Sequence, residues 1–363
     1  MSSESYIVSA LKYRPTDWDA VVGQKTITDT LKQAISSGQL AQAYLFCGPR
    51  GVGKTTIARI FAKSINQSID ADIQDYSYNI FELDAASNNS VDDIRNISDQ
   101  VRIPPQIGEY KVHIIDEVHM LSQSAFNAFL KTLEEPPKHA VFILATTEKH
   151  KIIPTILSRC QVYDFARITI QDIADHLKMI AEKENVTAEY EALMVIAEKA
   201  DGALRDALSV FDQMVNFCNK NITYKDVVKN LNILDHQYFF KTSDFFTSND
   251  IHASLLIFND ILSNGFDGQL FLNGLGNHLR NLLVCKDAST LSLLDCSDAV
   301  KEKYLEQSKL LSSKVIIDAI TIIGSADVNY KQSKNKRLHV ELALMKMCSL
   351  TSSTEKKKPL ISP

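Results

Sequence analysis

The segment Gly48-Pro49-Arg50-Gly51-Val52-Gly53-Lys54-Thr55 constrains this chain more than any other. It follows the apolar run Ala43-Tyr-Leu-Phe-Cys47 and precedes a helical pattern over Thr56–Lys63. Glycines at this spacing let the backbone turn so that successive N–H groups point inward, and the following helix adds its positive N-terminal end. Such a loop cradles phosphate. Lys54 then reaches the β- and γ-phosphates, the Thr55 hydroxyl ligates Mg²⁺, and the backbone through Thr56 completes the candidate ATP-binding loop. A strand, a tight loop and a helix in that order also require a parallel α/β sheet.

Three further apolar runs have the length of buried strands: Asn79–Asp84, Val112–Asp116 and Val141–Ala145. Asp116-Glu117 ends the second of these, at the strand edge where open α/β sheets bind their ligands. Asp116 suits Mg²⁺ held through water, and Glu117 suits the polarisation of an attacking water. His119 is read as structural. Thr146 and Thr147 end the next strand, where either hydroxyl can meet a γ-phosphate or the water. Arg159, after Pro154-Thr-Ile-Leu157, is expected at the domain edge, facing a neighbouring subunit rather than its own nucleotide. Arg205 opens a helix of a second domain and is placed to fold down on the phosphates.

Past Arg167 the strand signal stops. Thr169-Ile-Gln-Asp172 and Thr223-x-x-Asp226 read as helix caps, with helical periodicity over Ala188–Ala200 and Arg205–Asn219. The division expected is a core over 1–167, a helical lid over 168–231, an all-α domain over 232–350 and a frayed tail over 351–363. In the third part the stripes Leu272, Leu275, Leu279, Leu282 and Leu338, Leu342, Met345 are expected to face the core.

The chain has 363 residues, 45% apolar and 23% charged, enough for two or three hydrophobic cores and unlike a disordered tail. With Lys+Arg 39 against Asp+Glu 44 the formal charge is -5, so bulk charge does not make it a nucleic-acid coat. No window offers the roughly 18 apolar residues of a membrane span, and no secretory signal is evident, so a cytoplasmic location is expected. The six cysteines are scattered and read as reduced, mostly buried thiols.

The motifs in order closely resemble the gamma/tau subunits of the bacterial DNA polymerase III clamp loader, AAA+ ATPases. The likeness rests on Ala10-Leu-Lys-Tyr-Arg-Pro15, Val21-Val-Gly-Gln24, the phosphate loop, Glu82-Leu-Asp-Ala-Ala-Ser87, Val91-Asp-Asp-Ile-Arg95, Ile115-Asp-Glu-Val-His-Met-Leu121, Leu130-Lys-Thr-Leu-Glu-Glu-Pro-Pro137, Ile156-Leu-Ser-Arg-Cys160 and Gly202-Ala-Leu-Arg-Asp206. It implies that Arg159 is a finger acting on the ATP of the adjacent subunit and that Arg205 is a second sensor. It implies that Tyr13, Arg14, Pro15, Val21 and Val22 enclose adenine, and that residues from about Asp235 to Leu350 form a collar. The partners implied are other clamp-loader subunits in a five-membered ring, the sliding clamp and primer–template DNA, with polymerisation in a different subunit. Asn89, Arg95 and Arg102 match the region that lines the ring interior, although Arg95 also has Asp92 and Asp99 at helical spacing.

Two departures stand out. Many members hold zinc with four cysteines between the loop helix and the next strand, and Ser64–Tyr78 has none, so no zinc is expected. The chain also stops at Pro363, which resembles the short form or a fragment and leaves tau-type coupling in doubt. The other readings are a different AAA+ DNA machine such as a Holliday-junction branch-migration helicase, a non-hydrolysing clamp-loader subunit, and a nucleotide-binding domain of unrelated purpose.

Overall fold

The computed structural model describes residues 7–67, 77–231, 234–294, 296 and 298–355. The chain divides into two compact units, Met1–Ile222 and Thr223–Pro363. The first unit begins with α1 (Ser9–Lys12), α2 (Lys25–Ser36), β1 (Ala43–Cys47), α3 (Lys54–Gln67), β2 (Ile80–Asp84), α4 (Val91–Val101), β3 (Lys111–Asp116) and α5 (Gln123–Glu134). It continues through β4 (Ala140–Thr146), α6 (Pro154–Leu157), β5 (Gln161–Asp164), α7 (Ile170–Lys183), β6 (Thr187–Ala188), α8 (Tyr190–Lys199), α9 (Leu204–Phe217) and β7 (Asn221–Ile222).

Five strands form a parallel sheet in the order β2-β3-β4-β1-β5. Its central strands are apolar on both faces, as helices on both sides require. Alternate residues go to opposite sides: Leu45, Ile115, Phe142 and Leu144 pack in one cluster with α4 and α5, while Tyr44, Phe46, Ile114 and Ile143 pack with α2 and α3 in another. β2 is different from the buried strand expected, with Phe81 and Glu82 exposed on a sheet edge. β5 escapes sequence reading because Gln161-Val-Tyr-Asp164 is short and mostly polar. The strand signal does not stop at Arg167 either. β6 and β7 pair in parallel over two residues each, too few for an alternation to register.

Local chemistry sets the helix starts. Ser90 and Asp93 form a reciprocal capping box on α4, and Thr169 accepts from Asp172 N at the start of α7.

The second unit holds α10 (Tyr224–Asn230), α11 (His236–Ser248), α12 (Ile251–Ser263), α13 (Gly268–Val284), α14 (Asp298–Ser308), α15 (Ser313–Tyr330) and α16 (Lys336–Glu355). Thr223 caps α10 through Asp226 N. Leu272, Leu275, Leu279 and Leu282 are all fully buried on α13. The stripe on α16 is a correction: Leu338 and Leu342 are each 46% exposed, and the buried positions are Val340, Ala343, Leu344, Met347 and Cys348. That helix carries two apolar stripes, and periodicity alone cannot choose between them. α16 also runs on to Glu355, into the expected tail. The remainder of that tail, and residues 68–76 of the stretch expected to lack zinc, lie outside the described residues.

Each unit buries a neutral imidazole. His113 lies between the rings of Phe81 and Phe142, and burial pushes its pKa down to about 4. His278 sits 2.9 Å from Gln307 Oε1 and 3.2 Å from Tyr304 Oη, and burial pushes it to about 3.

Two predictions follow from this packing. Leu344→Ala should lower the unfolding free energy by about 2–5 kcal/mol, and Leu342→Ala by less than about 0.5 kcal/mol; urea titration of both variants checks which stripe is core. The unfolded chain protonates its histidines near pH 6.5 while the folded chain keeps these two neutral, so the unfolded state binds more protons below that pH. Stability should therefore fall as pH drops from about 6.5 towards 4 for His113 and 3 for His278. Urea midpoints across that range should flatten in His113→Phe, which keeps the stacked ring and removes one titrating group.

Candidate nucleotide site

The sheet order brings the C-terminal ends of β1, β3 and β4 side by side, with Cys47 opposite Thr146 and Ile115 opposite Leu144. The phosphate loop leaves β1 at Gly48, whose N–H donates to Thr146 O at 3.2 Å. Two of its glycines are sterically required. At Gly48 (φ 147°) a Cβ would lie 2.5 Å from the Phe165 carbonyl oxygen, and at Gly51 (φ 77°) it would lie 3.0 Å from Ala203 Cβ, just before α9. The loop is also tied to α9 by Arg205 N donating to Gly51 O at 3.4 Å.

Lys54 is buried, and its Nζ donates to Gly48 O at 2.8 Å and Pro49 O at 2.7 Å. Burial lowers its pKa, against the pull of Glu117 and Asp116. Thr55 Oγ1 donates to Asp116 Oδ2 at 2.6 Å. A hydroxyl and a carboxylate so close form a donor pair that fits Mg²⁺, which takes few protein ligands and fills its octahedron with phosphate oxygens and water.

Above the loop lies a cleft. One wall is Ala10, Tyr13, Arg14, Pro15, Val21 and Val22; its floor is Arg50 to Ile57 with Asp116 and Glu117; Ile168, Leu204, Arg205 and Leu208 close it. The N-terminal wall is fastened to the helices of the second half of the unit. Ser9 N donates to Asp212 Oδ2 at 2.7 Å, and the Tyr13 hydroxyl and Lys12 both meet the Glu184 carboxylate. The Arg14 guanidinium has its pKa lowered by burial and then by Arg59 and Arg205, so three cations converge here. Arg59 is neutralised by two hydrogen bonds to Glu82, at 2.8 and 2.6 Å. Arg14 thus adds a positive charge to the N-terminal wall of the cleft. Of the apolar lining, Ala10 and Leu204 fall within the motifs, whereas Ile57, Ile168 and Leu208 are missed by motif reading; the Leu204/Leu208 spacing on α9 is the one sequence signal for Leu208.

Glu117 adopts the left-handed conformation (φ 48°, ψ 43°), and its Oε2 accepts from Thr147 Oγ1 at 3.2 Å. Neither Thr146 nor Thr147 lines the cleft. Thr146 is fully buried, with Oγ1 3.1 Å from His119 Nδ1.

Four other expected positions stand apart. Arg159 lies outside the cleft, held by Glu134 Oε1 at 2.8 Å and the Thr155 carbonyl at 2.8 Å. Arg95 pairs with Asp92 at 3.2 Å, and Arg102 lies 4.0 Å from Asp99; both pairs are exposed and worth little to stability. Asn89 is exposed, its carbonyl accepting from Ser122 N at 3.3 Å.

A phosphate loop after an inner strand of a five-stranded parallel sheet, an acidic pair at the end of the next strand but one and a helical element closing the cleft define the AAA+ ATPase class. The fold is shared with Thermotoga maritima RuvB, a Holliday junction branch migration motor, at TM-score 0.50 and 22% identity over 64% of this chain and 78% of that one. Family models match along the chain: DNA polymerase III delta subunit over 23–169, the ATPase lid domain of the DNA polymerase III clamp loader subunit over 172–220, and domain III of DNA polymerase III subunits gamma and tau over 222–361. The Buchnera aphidicola (Baizongia pistaciae) DNA polymerase III subunit gamma is 32% identical over 96% of this chain and 98% of its own length. The Bacillus subtilis DNA polymerase III subunit tau is 38% identical over 93% of this chain, which spans 62% of that relative. The chain belongs to the family of DNA polymerase III gamma/tau subunits. Among the described residues no helix is long and apolar enough to cross a membrane.

Gly48→Ala should cost more than about 2 kcal/mol, since both the backbone angle and the contact with Phe165 must yield. Denaturant unfolding without nucleotide measures this apart from any loss of binding.

Proposed function

We propose that this chain is an ATP-hydrolysing subunit of the DNA polymerase III clamp loader, using ATP to open the sliding clamp and load it onto primer–template DNA during replication. The observation that carries the reading is the single cleft that gathers Lys54, Thr55, Asp116, Glu117 and Arg205 while Arg159 lies outside it on Glu134.

In this reading the loop from Gly48 to Thr56 binds the phosphates, and Tyr13, Pro15, Val21 and Val22 enclose the base. Lys54 exchanges its carbonyl partners for phosphate oxygens. Thr55 and Asp116 hold Mg²⁺, which when bound neutralises charge on the phosphates. Glu117 orients the attacking water. Arg205 adds positive charge from the closing side and Arg14 from the N-terminal wall. Arg159 acts in trans, so hydrolysis depends on assembly.

The core to about 167, the lid to about 231 and the collar beyond divide these tasks, and the collar joins this subunit to its neighbours in a five-membered ring. Asn89, Arg95 and Arg102 contact DNA from the ring interior, with Arg95 leaving Asp92 to do so. Polymerisation belongs to another subunit. The ATP-bound ring must bind clamp and DNA more tightly than the hydrolysed one, because a ligand with equal affinity for both states shifts neither.

Lys54→Ala should abolish ATP binding. Arg159→Ala should leave ATP binding intact and lower assembly-dependent hydrolysis by about 10³-fold or more. Equilibrium binding of labelled nucleotide, beside turnover with clamp and primed DNA, separates the two. Parallel loss of binding and turnover in Arg159→Ala would remove the finger role.

A further inference from the structure

His119 reads as structural from sequence, yet its ring meets three oxygens that bear on Glu117. It is only 7% exposed. Nδ1 lies 3.1 Å from Thr146 Oγ1 and 3.4 Å from Glu117 Oε2, and Nε2 lies 3.3 Å from Glu148 Oε1. Thr146 Oγ1 itself accepts from Glu148 N at 3.0 Å, which fixes the hydroxyl against the turn that follows β4. The ring is thereby held at Nδ1 by Thr146, beside the Glu117 carboxylate. Thr147 Oγ1, at 3.2 Å, reaches the same carboxylate oxygen.

The backbone makes this anchoring consequential. Glu117 is a non-glycine residue in the left-handed region, a conformation that costs about 1–2 kcal/mol and persists where the surroundings over-determine it. Such a turn projects the carboxylate out of the line of β3, so its direction depends on its side-chain partners. Those partners come from the end of β4 and from His119.

We propose that His119 is a positioning residue for ATP hydrolysis: with Thr147 it flanks Oε2 of Glu117, while Thr146 holds the imidazole in place. The inference rests on the hydrolytic reading of the cleft. It adds a route by which the end of β4 controls the carboxylate on β3 without touching nucleotide.

The test uses the chain in the complex it forms with its partner subunits, measuring single-turnover ATP hydrolysis and the affinity for a non-hydrolysable ATP analogue. In His119→Leu, hydrolysis should fall about 10- to 100-fold, the scale of a misplaced catalytic group, with analogue affinity within about threefold. His119→Gln keeps one donor and one acceptor and should recover most of the rate. In a Glu117→Gln background, adding His119→Leu should cause no further loss. Wild-type hydrolysis in His119→Leu overturns the inference, as does an equal loss of rate and affinity. Equal impairment of the Leu and Gln variants, with lowered thermal midpoints, also overturns it by assigning the ring a packing role. A wild-type complex that binds the analogue and never turns over removes the hydrolytic reading and this inference with it; wild-type turnover with an unaffected Leu variant removes the inference alone.

Discussion

The 2.6 Å hydrogen bond from Thr55 to Asp116 joins the two halves of the nucleotide site. Thr55 lies one residue into α3, and Asp116 is the last residue of β3. Strand order makes their meeting possible. The crossover from β1 through α3 leads to β2 at the sheet edge, and β3 and β4 fill the space between. The ends of β1, β4 and β3 therefore stand in succession, and the loop leaving β1 overlooks the acids leaving β3. A one-residue shift in the β3–β4 register would turn Asp116 to the opposite face. The burial of Ile114 and Ile115 on opposite sides of the sheet opposes that shift.

Much of this was readable from the residues because it depends on local rules. The phosphate loop, the four main strands and the caps at Thr169 and Thr223 combine turn chemistry, apolar runs and side-chain oxygens at fixed spacing. What escaped was decided by tertiary contact. β5 is a strand because it pairs with β1, not because Gln161-Val-Tyr-Asp164 favours extension. α16 has two apolar stripes, and only packing against α11, α12, α13 and α15 selects Val340 and Leu344 over Leu338 and Leu342. At the site, the motifs name the charged groups but not all of the apolar lining, since Ile168 and Leu208 become lining only when α9 closes over the loop. His119 escaped for a related reason: its bond to Thr146 and its approach to Glu148 come from the end of β4 and the turn after it, far along the chain.

The side chains of Tyr13, Arg14 and Pro15 differ in chemistry. Tyr13 spends its hydroxyl on Glu184, so its ring becomes part of a wall fixed to the helical half of the unit. Arg14 lies within electrostatic reach of Arg59, Arg205, Glu82 and Asp116. With Arg59 engaged by Glu82, Arg14 and Arg205 supply positive charge to the cleft beside Lys54.

The closing half of the unit bears on the loop through small residues and backbone. Gly51 meets Ala203, and Gly202 (φ 80°) leaves no room for a side chain because a Cβ would lie 2.6 Å from Arg167 Cβ. Ile168 N donates to Gly202 O at 3.2 Å, beside the Arg205-to-Gly51 bond. Contacts of this kind hold the two parts in register through backbone and small residues. The N-terminal wall is tied to the same half by side chains, to Asp212 on α9 and to Glu184 at the end of α7, so the parts that bound the cleft are joined through both backbone and side chains.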